Sequence, residues 1–299
     1  MVQRRTVLSG VGATLALGSL AGCLASIPGL GGDGAGGTPR ETLAGYVPGS
    51  DGDDGQPPLD LIYVDARRLE AVRDRFPGTV GQQIGALYDP ATVGLPLERG
   101  DVDAVLTAHQ LFVLGVDTDG LVRTLADGGL TDAGRYREVP LFDLDGQTVA
   151  ADSGVIVLGT DARVRAALDA NSGGAPSVAD TSTAYDHLAG AAAGTVDVFG
   201  GRTDDAGDGR LGTLYSWTFP ADTARLTLAV AFADSTDPDA LATATESAGG
   251  LAEYDWGDRT TDGPVVSQVG TQPIGDFDLL REGTPGESGS SSAEAKRSC

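Results

Sequence analysis

The chain has 299 residues, 40% of them hydrophobic, and a formal net charge of −23. Aspartate supplies 34 of the 43 acidic residues, and Lys296 is the only lysine. Such a charge repels nucleic acid and anionic lipid, while the hydrophobic fraction is too high for a disordered acidic chain. With its one lysine in a polar C-terminal stretch, the folded region has no lysine for a phosphate-binding loop or for Schiff-base catalysis.

The first 23 residues combine paired arginines, an uncharged stretch and a small-residue motif that ends in cysteine. Arg4 and Arg5 precede Thr6–Leu20, and Leu20–Cys23 reads Leu-Ala-Gly-Cys. These are the parts of a secretory signal, and the paired arginines indicate the twin-arginine (Tat) export route. An uncut transmembrane anchor is the alternative, but a stretch of about 15 residues is short for a span that needs about 20.

This segment resembles the signals of Tat-dependent lipoproteins, and residues 20–23 match the lipobox of that family. The resemblance implies a signal peptide over residues 1–22, cleavage before Cys23, lipidation of its sulfur and anchoring at the extracytoplasmic face of the cell membrane. The acidic, lysine-poor composition is similar to that of haloarchaeal proteins, in which high salt screens the repulsion between surface charges. The chain therefore resembles haloarchaeal exported lipoproteins of unassigned function.

Low-complexity segments flank the predicted globular domain, which we place at residues 59–281. Residues 23–58, rich in glycine, aspartate and proline, are expected to form a flexible tether behind the lipidated cysteine. Residues 282–299 are expected to form a disordered polar tail. Because the only other cysteine is Cys299, the domain has no thiol for a disulfide, a metal or a nucleophile.

A unit of apolar strand, aspartate-containing turn and short amphipathic helix recurs along the domain. We predict it at Leu59–Phe76, Leu111–Gly129, Val155–Gly174 and Leu226–Gly250. The aspartates expected to cap the N-termini of the four helices are Asp65, Asp119, Asp161 and Asp237. A capping role makes these aspartates structural and not catalytic. The unequal spacing of the units argues against a solenoid.

Antiparallel hairpins are predicted between these units. Val139–Leu144 and Gln147–Asp152 flank Asp145-Gly146, a strong two-residue turn signal, and a second hairpin turns at Pro220–Thr223. The pattern predicts an α+β fold with antiparallel sheets and helices packed on one face. Two joined ferredoxin-like halves fit this pattern, with a boundary within residues 171–180.

Candidate sites for chemistry are few. His109 and His187 are the only histidines, which excludes a three-histidine zinc site and the HExxH motif. His187 is predicted on a helix, Ser182–Ala192, as a packed or half-exposed residue and not as a catalytic base. Residues 201–209 have the oxygen density of a calcium site without the EF-hand spacing, and the general acidity explains them as well. We predict no catalytic residue, metal or cofactor.

Aromatic residues alternate along two predicted strands. Tyr215, Trp217 and Phe219 share one face of a strand, and Tyr254 and Trp256 share a face of another. Such faces usually belong to the core. An exposed platform for a sugar or a protein partner is the alternative.

Two functional classes fit the sequence. The first is a membrane-anchored extracytoplasmic lipoprotein with a non-enzymatic binding or accessory domain, whose contacts are the membrane, through the lipid on Cys23, and an envelope protein. The second is an extracellular hydrolase that uses paired carboxylates, since acids are the catalytic groups in ample supply. A carboxylate pair in a cleft favours the hydrolase.

Overall fold

The computed structural model describes residues 39–49, 60–108, 110–117, 120–192, 196–203, 209–233 and 251–277. Within these ranges the strands, in chain order, are β1 (Asp60–Asp65), β2 (Val102–Ala108), β3 (Leu111–Val116), β4 (Thr131–Tyr136), β5 (Val139–Leu144), β6 (Gln147–Asp152), β7 (Val155–Gly159), β8 (Val198–Thr203), β9 (Arg210–Thr218), β10 (Thr223–Phe232), β11 (Asp255–Asp262) and β12 (Val265–Pro273). The α-helices are α1 (Pro39–Ala44), α2 (Ala66–Val72), α3 (Gly78–Leu87), α4 (Leu121–Asp127), α5 (Asp161–Ser172), α6 (Val178–Thr181) and α7 (Thr183–Ala191).

The described strands form one antiparallel sheet of two halves that repeat one topology. Its order is β11-β12-β10-β9-β8-β1-β2-β3-β7-β6-β5-β4. In the first half β1, β2 and β3 lie side by side, the chain then crosses to the outer edge at β4, and it returns through β5 and β6 to β7, which pairs with β3. In the second half β8, β9 and β10 lie side by side, the chain crosses to the edge at β11, and β12 returns to pair with β10. Because β1 and β8 pair along their lengths, the two halves share a single sheet. The chain passes between them in the stretch that contains residues 171–180.

The α+β class, with an antiparallel sheet and helices packed on it, is confirmed, but the helices cover both faces of the sheet and not one. In β7, Ile156 and Leu158 join one buried layer, whereas Val155 and Val157 join the other. We name the first the front layer and the second the back layer. A strand buried on both faces is a continuous apolar run, and Val155–Gly159 is buried at every position.

Each layer has its own helices. Side chains of α2, α3 and α4 pack into the front layer, together with the segments that precede β11 and follow β12. Side chains of α1, α5, α6 and α7 pack into the back layer. Burial of apolar surface on both faces, at about 25 cal/mol per Å², stabilises the broad sheet.

Residues 39–49 belong to the back layer, so the predicted flexible tether over residues 23–58 is wrong for this part. Leu43, Ala44 and Val47 are completely buried. The Val47 carbonyl accepts from the Val178 amide at 2.8 Å, which fixes the segment to α6. Burial of these side chains offsets the entropy cost of ordering the backbone. The rest of the predicted tether lies outside the described residues.

The predicted turns and caps are confirmed in part. Asp145 and Gly146 both have positive φ, 51° and 85°, as a two-residue hairpin turn requires. The Asp65 side chain caps α2 by accepting from the Arg68 amide at 3.0 Å. Asp161 is not a cap, because the N-cap position of α5 is Thr160.

Asp161 is instead the first residue of α5 and pairs with Arg165 at 2.8 Å. Its charge still favours the helix, because the N-terminus of a helix carries a partial positive charge. Asp119 and Asp237, the other two predicted caps, lie outside the described residues. The strand–helix units at residues 59–76, 111–129 and 155–174 are confirmed as β1–α2, β3–α4 and β7–α5.

Candidate functional site

Four aspartates gather at one end of the central strands. Asp65 ends β1 and Asp117 follows β3, whereas Asp103 stands near the start of β2 and Asp197 precedes β8. Since these neighbouring strands run antiparallel, the four positions meet at the same end of the sheet. Asp103 occupies a bulge between β2 and β3, an irregularity that redirects a side chain. We name this group the carboxylate end.

Two arginines from the start of α2 pair with the carboxylate end. Arg67 contacts Asp103 through its Nε and binds Asp117 Oδ2 at 2.6 Å. Arg68 Nε binds Asp197 Oδ1 at 2.5 Å. The arginine side chains are 44% and 45% exposed, whereas those of Asp103 and Asp197 are 2% and 3% exposed. These buried carboxylates therefore depend on partners that reach them from the surface.

Asp197 makes three hydrogen bonds besides its ion pair. Its second carboxylate oxygen accepts from the Phe219 amide at 2.7 Å. Its backbone amide donates to the Trp217 carbonyl, and its carbonyl accepts from the Asp65 amide, at 3.0 and 2.9 Å. Asp197 thus connects α2, β1 and β9 at the junction of the two sheet halves, which is a structural role.

Burial changes the acidity of two of these groups. It raises the pKa of Asp65 to about 6, although the Arg68 amide and guanidinium oppose the change. Burial also raises the pKa of Asp103, against the lowering effect of Arg67. An acid that titrates near pH 6 can serve as a general acid, so Asp65 is the strongest acid–base candidate at this end of the sheet.

The described residues add no evidence for catalysis or metal binding at the other predicted sites. His187 lies half-buried on α7, whereas His109, residues 204–208, Arg4, Arg5 and Cys23 lie outside the described residues. Among the residues that are described, no group of three or more histidine, cysteine, aspartate or glutamate side chains could hold a metal ion. In the same part of the chain, no helix is long and apolar enough to cross a membrane.

The aromatic faces belong to the core, as predicted. Tyr215, Trp217 and Phe219 are at most 8% exposed and lie in the front layer. The Trp217 indole donates to the Tyr254 hydroxyl at 3.2 Å, and the Phe219 ring packs edge-on against Phe76 at 4.8 Å. Their polar atoms and ring faces are therefore occupied within the protein.

An apolar opening at the centre of the sheet was not predicted. Ile62 of β1 is 50% exposed, and its register partners on either side are Thr107 and Gly200. Phe112, opposite Thr107 on β3, is only partly buried. Directly paired residues share a face, so these four form a continuous stretch across β8, β1, β2 and β3, which we name the Ile62 strip.

One glycine and one ion pair shape the Ile62 strip. A Cβ at Gly200 would meet only the Tyr215 carbonyl oxygen, at 3.9 Å, so the space above this residue is open. Two positions along the strands, Asp60 faces Arg202, with their charged atoms 3.7 Å apart. An apolar side chain in a central strand normally points into a covered layer, so sequence alone gives no signal for this opening.

Comparison with known proteins yields only remote similarity. No family model matches the chain, and no curated protein matches it. Solved structures of TP0453 in crystal forms III and I are each 10% identical to this chain with TM-scores of 0.43, covering 78% and 79% of it and 94% of TP0453. Crystal form IV is 9% identical with a TM-score of 0.41, covering 78% of this chain and 92% of TP0453.

Proposed function

We propose that this chain is a membrane-anchored lipoprotein, exported by the twin-arginine route and attached through lipid on Cys23 at the extracytoplasmic face of the membrane. Its domain has a non-enzymatic binding or accessory role towards an envelope protein. The strongly acidic surface suits a high-salt environment and excludes nucleic acid as a partner. The export signal, Arg4 and Arg5, and the lipidation site rest on the sequence motif.

The aspartates of the carboxylate end hold other parts of the protein in place, which supports a non-enzymatic role. Asp197 holds Arg68 and the Phe219 amide, Asp65 caps α2, and Asp103 contacts Arg67. A catalytic carboxylate pair needs oxygen atoms that can reach a substrate or a water molecule. At this end of the sheet, both oxygens of Asp197 and one oxygen each of Asp65 and Asp117 instead bind protein groups.

The Ile62 strip is the observation that carries the binding role. It exposes apolar surface in the middle of a sheet, where the adjoining row, Val64 and Val105, is buried in the front layer. Contiguous exposed apolar surface marks sites of protein interaction more often than an isolated surface residue does. The Asp60–Arg202 pair beside it supplies a polar margin, as interfaces have.

The short link between lipid and domain supports a role close to the membrane. Fifteen residues separate Cys23 from Pro39, the first residue of α1. Even fully extended, a link of this length spans only about 55 Å. The domain therefore stays within reach of other proteins at the same membrane surface.

A crosslinked pull-down from native membranes in high salt tests this function. The wild-type chain is compared with Ile62→Gln and with Val122→Gln, a matched control because Val122 is an exposed apolar residue on α4 at 44%. We expect one reproducible envelope protein with wild type and with the control, and its loss with Ile62→Gln. Recovery of the same protein by all three chains would exclude the Ile62 strip, and recovery of none would argue against an accessory role.

A carboxylate-dependent hydrolase is the second candidate, and the raised pKa of Asp65 is the observation that favours it. Its test is hydrolysis of envelope polysaccharide by the purified chain between pH 4 and 7. Activity that is present in the wild type and lost in Asp65→Asn would replace the binding role by catalysis. Activity that survives in Asp65→Asn would exclude Asp65 as the general acid.

A further inference from the structure

Arg40 is a buried cation in the back layer. The residue is 8% exposed, and its guanidinium lies over the Phe199 ring, 5.1 Å from the centroid. It donates to carbonyl oxygens at the C-terminus of α7, those of Ala192 at 3.4 Å and Ala189 at 3.3 Å. No carboxylate in the described part of the chain forms an ion pair with it.

These contacts compensate the charge of Arg40 only in part. The C-terminus of a helix is equivalent to about half a negative charge. Both hydrogen bonds are longer than the usual 2.9–3.0 Å. A buried charge is costly unless it is paired and hydrogen-bonded. Positive charge therefore remains at this point of the interior.

Two buried donors at α7 have no acceptor among the described residues. Neither Arg40 Nε nor the Tyr185 hydroxyl makes a hydrogen bond to any described residue. Tyr185 stands one helical turn before Ala189, so the two share a face of α7. Burial raises the pKa of Tyr185 to about 12, and the charge of Arg40 acts in the opposite direction, as expected of neighbouring groups.

We propose that a small monovalent anion, of which chloride is the probe, binds between Arg40 Nε and the Tyr185 hydroxyl. Such an anion accepts from both donors and neutralises the part of the Arg40 charge that the α7 carbonyls do not compensate. Glu41 and Asp186 are the acidic groups that act on Tyr185, and their negative charge sets the limit on affinity. This ligand site is independent of the proposed partner binding, and it ties α1 to α7.

The test is thermal and denaturant unfolding of the full lipidated chain in chloride and in gluconate at equal ionic strength. If chloride binds the folded state alone, each tenfold rise in its concentration above half-saturation shifts the unfolding equilibrium tenfold towards the folded chain. Tyr185→Phe removes one donor without adding volume. We expect this variant to lose the chloride effect and to be no less stable than wild type in gluconate, because an unsatisfied hydroxyl is removed.

Tyr88→Phe is the matched control, since it removes the hydroxyl of a buried tyrosine of the front layer, a hydroxyl that donates to the exposed Glu70. It should lower stability equally in both salts and keep the full chloride effect. Bromide-soaked crystals should show anomalous density next to Arg40 Nε and the Tyr185 hydroxyl. A water molecule at that place without anomalous signal, or equal chloride effects in wild type and Tyr185→Phe, would overturn the proposal.

Discussion

Arg68 binds Asp197 across 129 positions of the sequence and so connects the start of α2 to the junction of the two sheet halves. The aspartate is 3% exposed, and the arginine is 45% exposed. The buried member of the pair has little contact with water in the folded chain, so it loses much of its compensation if its partner is lost. The pair is therefore a point where a surface side chain controls the stability of the interior.

Replacing Arg68 by alanine should lower the free energy of unfolding by about 1–3 kcal/mol, because the Asp197 carboxylate then keeps only its bond to the Phe219 amide. Arg73→Ala is the control, since Arg73 pairs with the exposed Glu70 on the same segment. Exposed pairs contribute little, so the control should cost less than about 1 kcal/mol. Equal losses in urea unfolding would show that the burial of Asp197 is unimportant.

The raised pKa of Asp65 predicts that stability increases as the solution is acidified from about pH 7 to pH 4. The folded-state pKa is about 6, against an ordinary value of 3.8 for this side chain, so the folded chain binds the proton more tightly than the unfolded chain. Protonation therefore favours folding, by an amount of the order of 2 kcal/mol. Urea unfolding at several pH values measures this dependence.

Asp65→Asn provides the reference for that measurement, because asparagine is an equally good N-cap and does not titrate. The difference between wild type and this variant should change across pH 4–6 and stay constant above pH 7. A difference that is independent of pH would show that Asp65 has an ordinary pKa. Asp103, whose pKa burial also raises, contributes a dependence of the same sign to both chains.

Truncating Leu43 to alanine should destabilise the domain by about 2–5 kcal/mol, as for other fully buried leucines. Val122→Ala, at an exposed position of α4, should change stability by less than about 0.5 kcal/mol. Denaturant unfolding of both variants measures the contribution of residues 39–49 to the core. If Leu43→Ala behaves like the control, this segment does not belong to the cooperative unit.

Cys23→Ser should release the chain from membranes into the medium, because serine cannot carry the thioether-linked lipid that the motif implies. Cell fractionation and immunoblotting against the domain measure the distribution. Arg4→Lys together with Arg5→Lys should instead block export and leave uncut precursor inside the cell. A Cys23→Ser chain that stays in the membrane fraction would support the uncut transmembrane anchor.

Local signals in the sequence predict much of the fold. Asp145-Gly146 specifies its hairpin through backbone conformation alone, and Asp65 marks the start of α2 because its side chain satisfies a free amide there. Both effects involve residues within a few positions of each other. The expected cap at Asp161 is wrong because the helix begins one residue earlier than predicted, so that Thr160 takes the N-cap position although its side chain makes no capping hydrogen bond.

Features that depend on distant contacts could not be predicted. Val155–Gly159 is recognisable as a strand, but a run of apolar residues does not reveal which helices will cover its second face. Leu43 and Val47 lie between two stretches rich in glycine and aspartate, so the local composition gives no sign of a buried segment. The approach of Arg68 to Asp197 and the exposure of Ile62 depend on the pairing of β1 with β8, which are more than 130 residues apart in the sequence.

The central place of β1 has a consequence for the order in which the chain folds. Although β1 begins the sheet in sequence, one of its two edges stays unpaired until β8 has been made, since β8 is its neighbour on that side. A nascent chain that stops before residue 198 would present a row of free backbone amides and carbonyls, a template for aggregation. The central strands are therefore fully paired only after residues 198–203 have been synthesised, and the proposed twin-arginine route, which carries folded proteins, would allow the sheet to close before export.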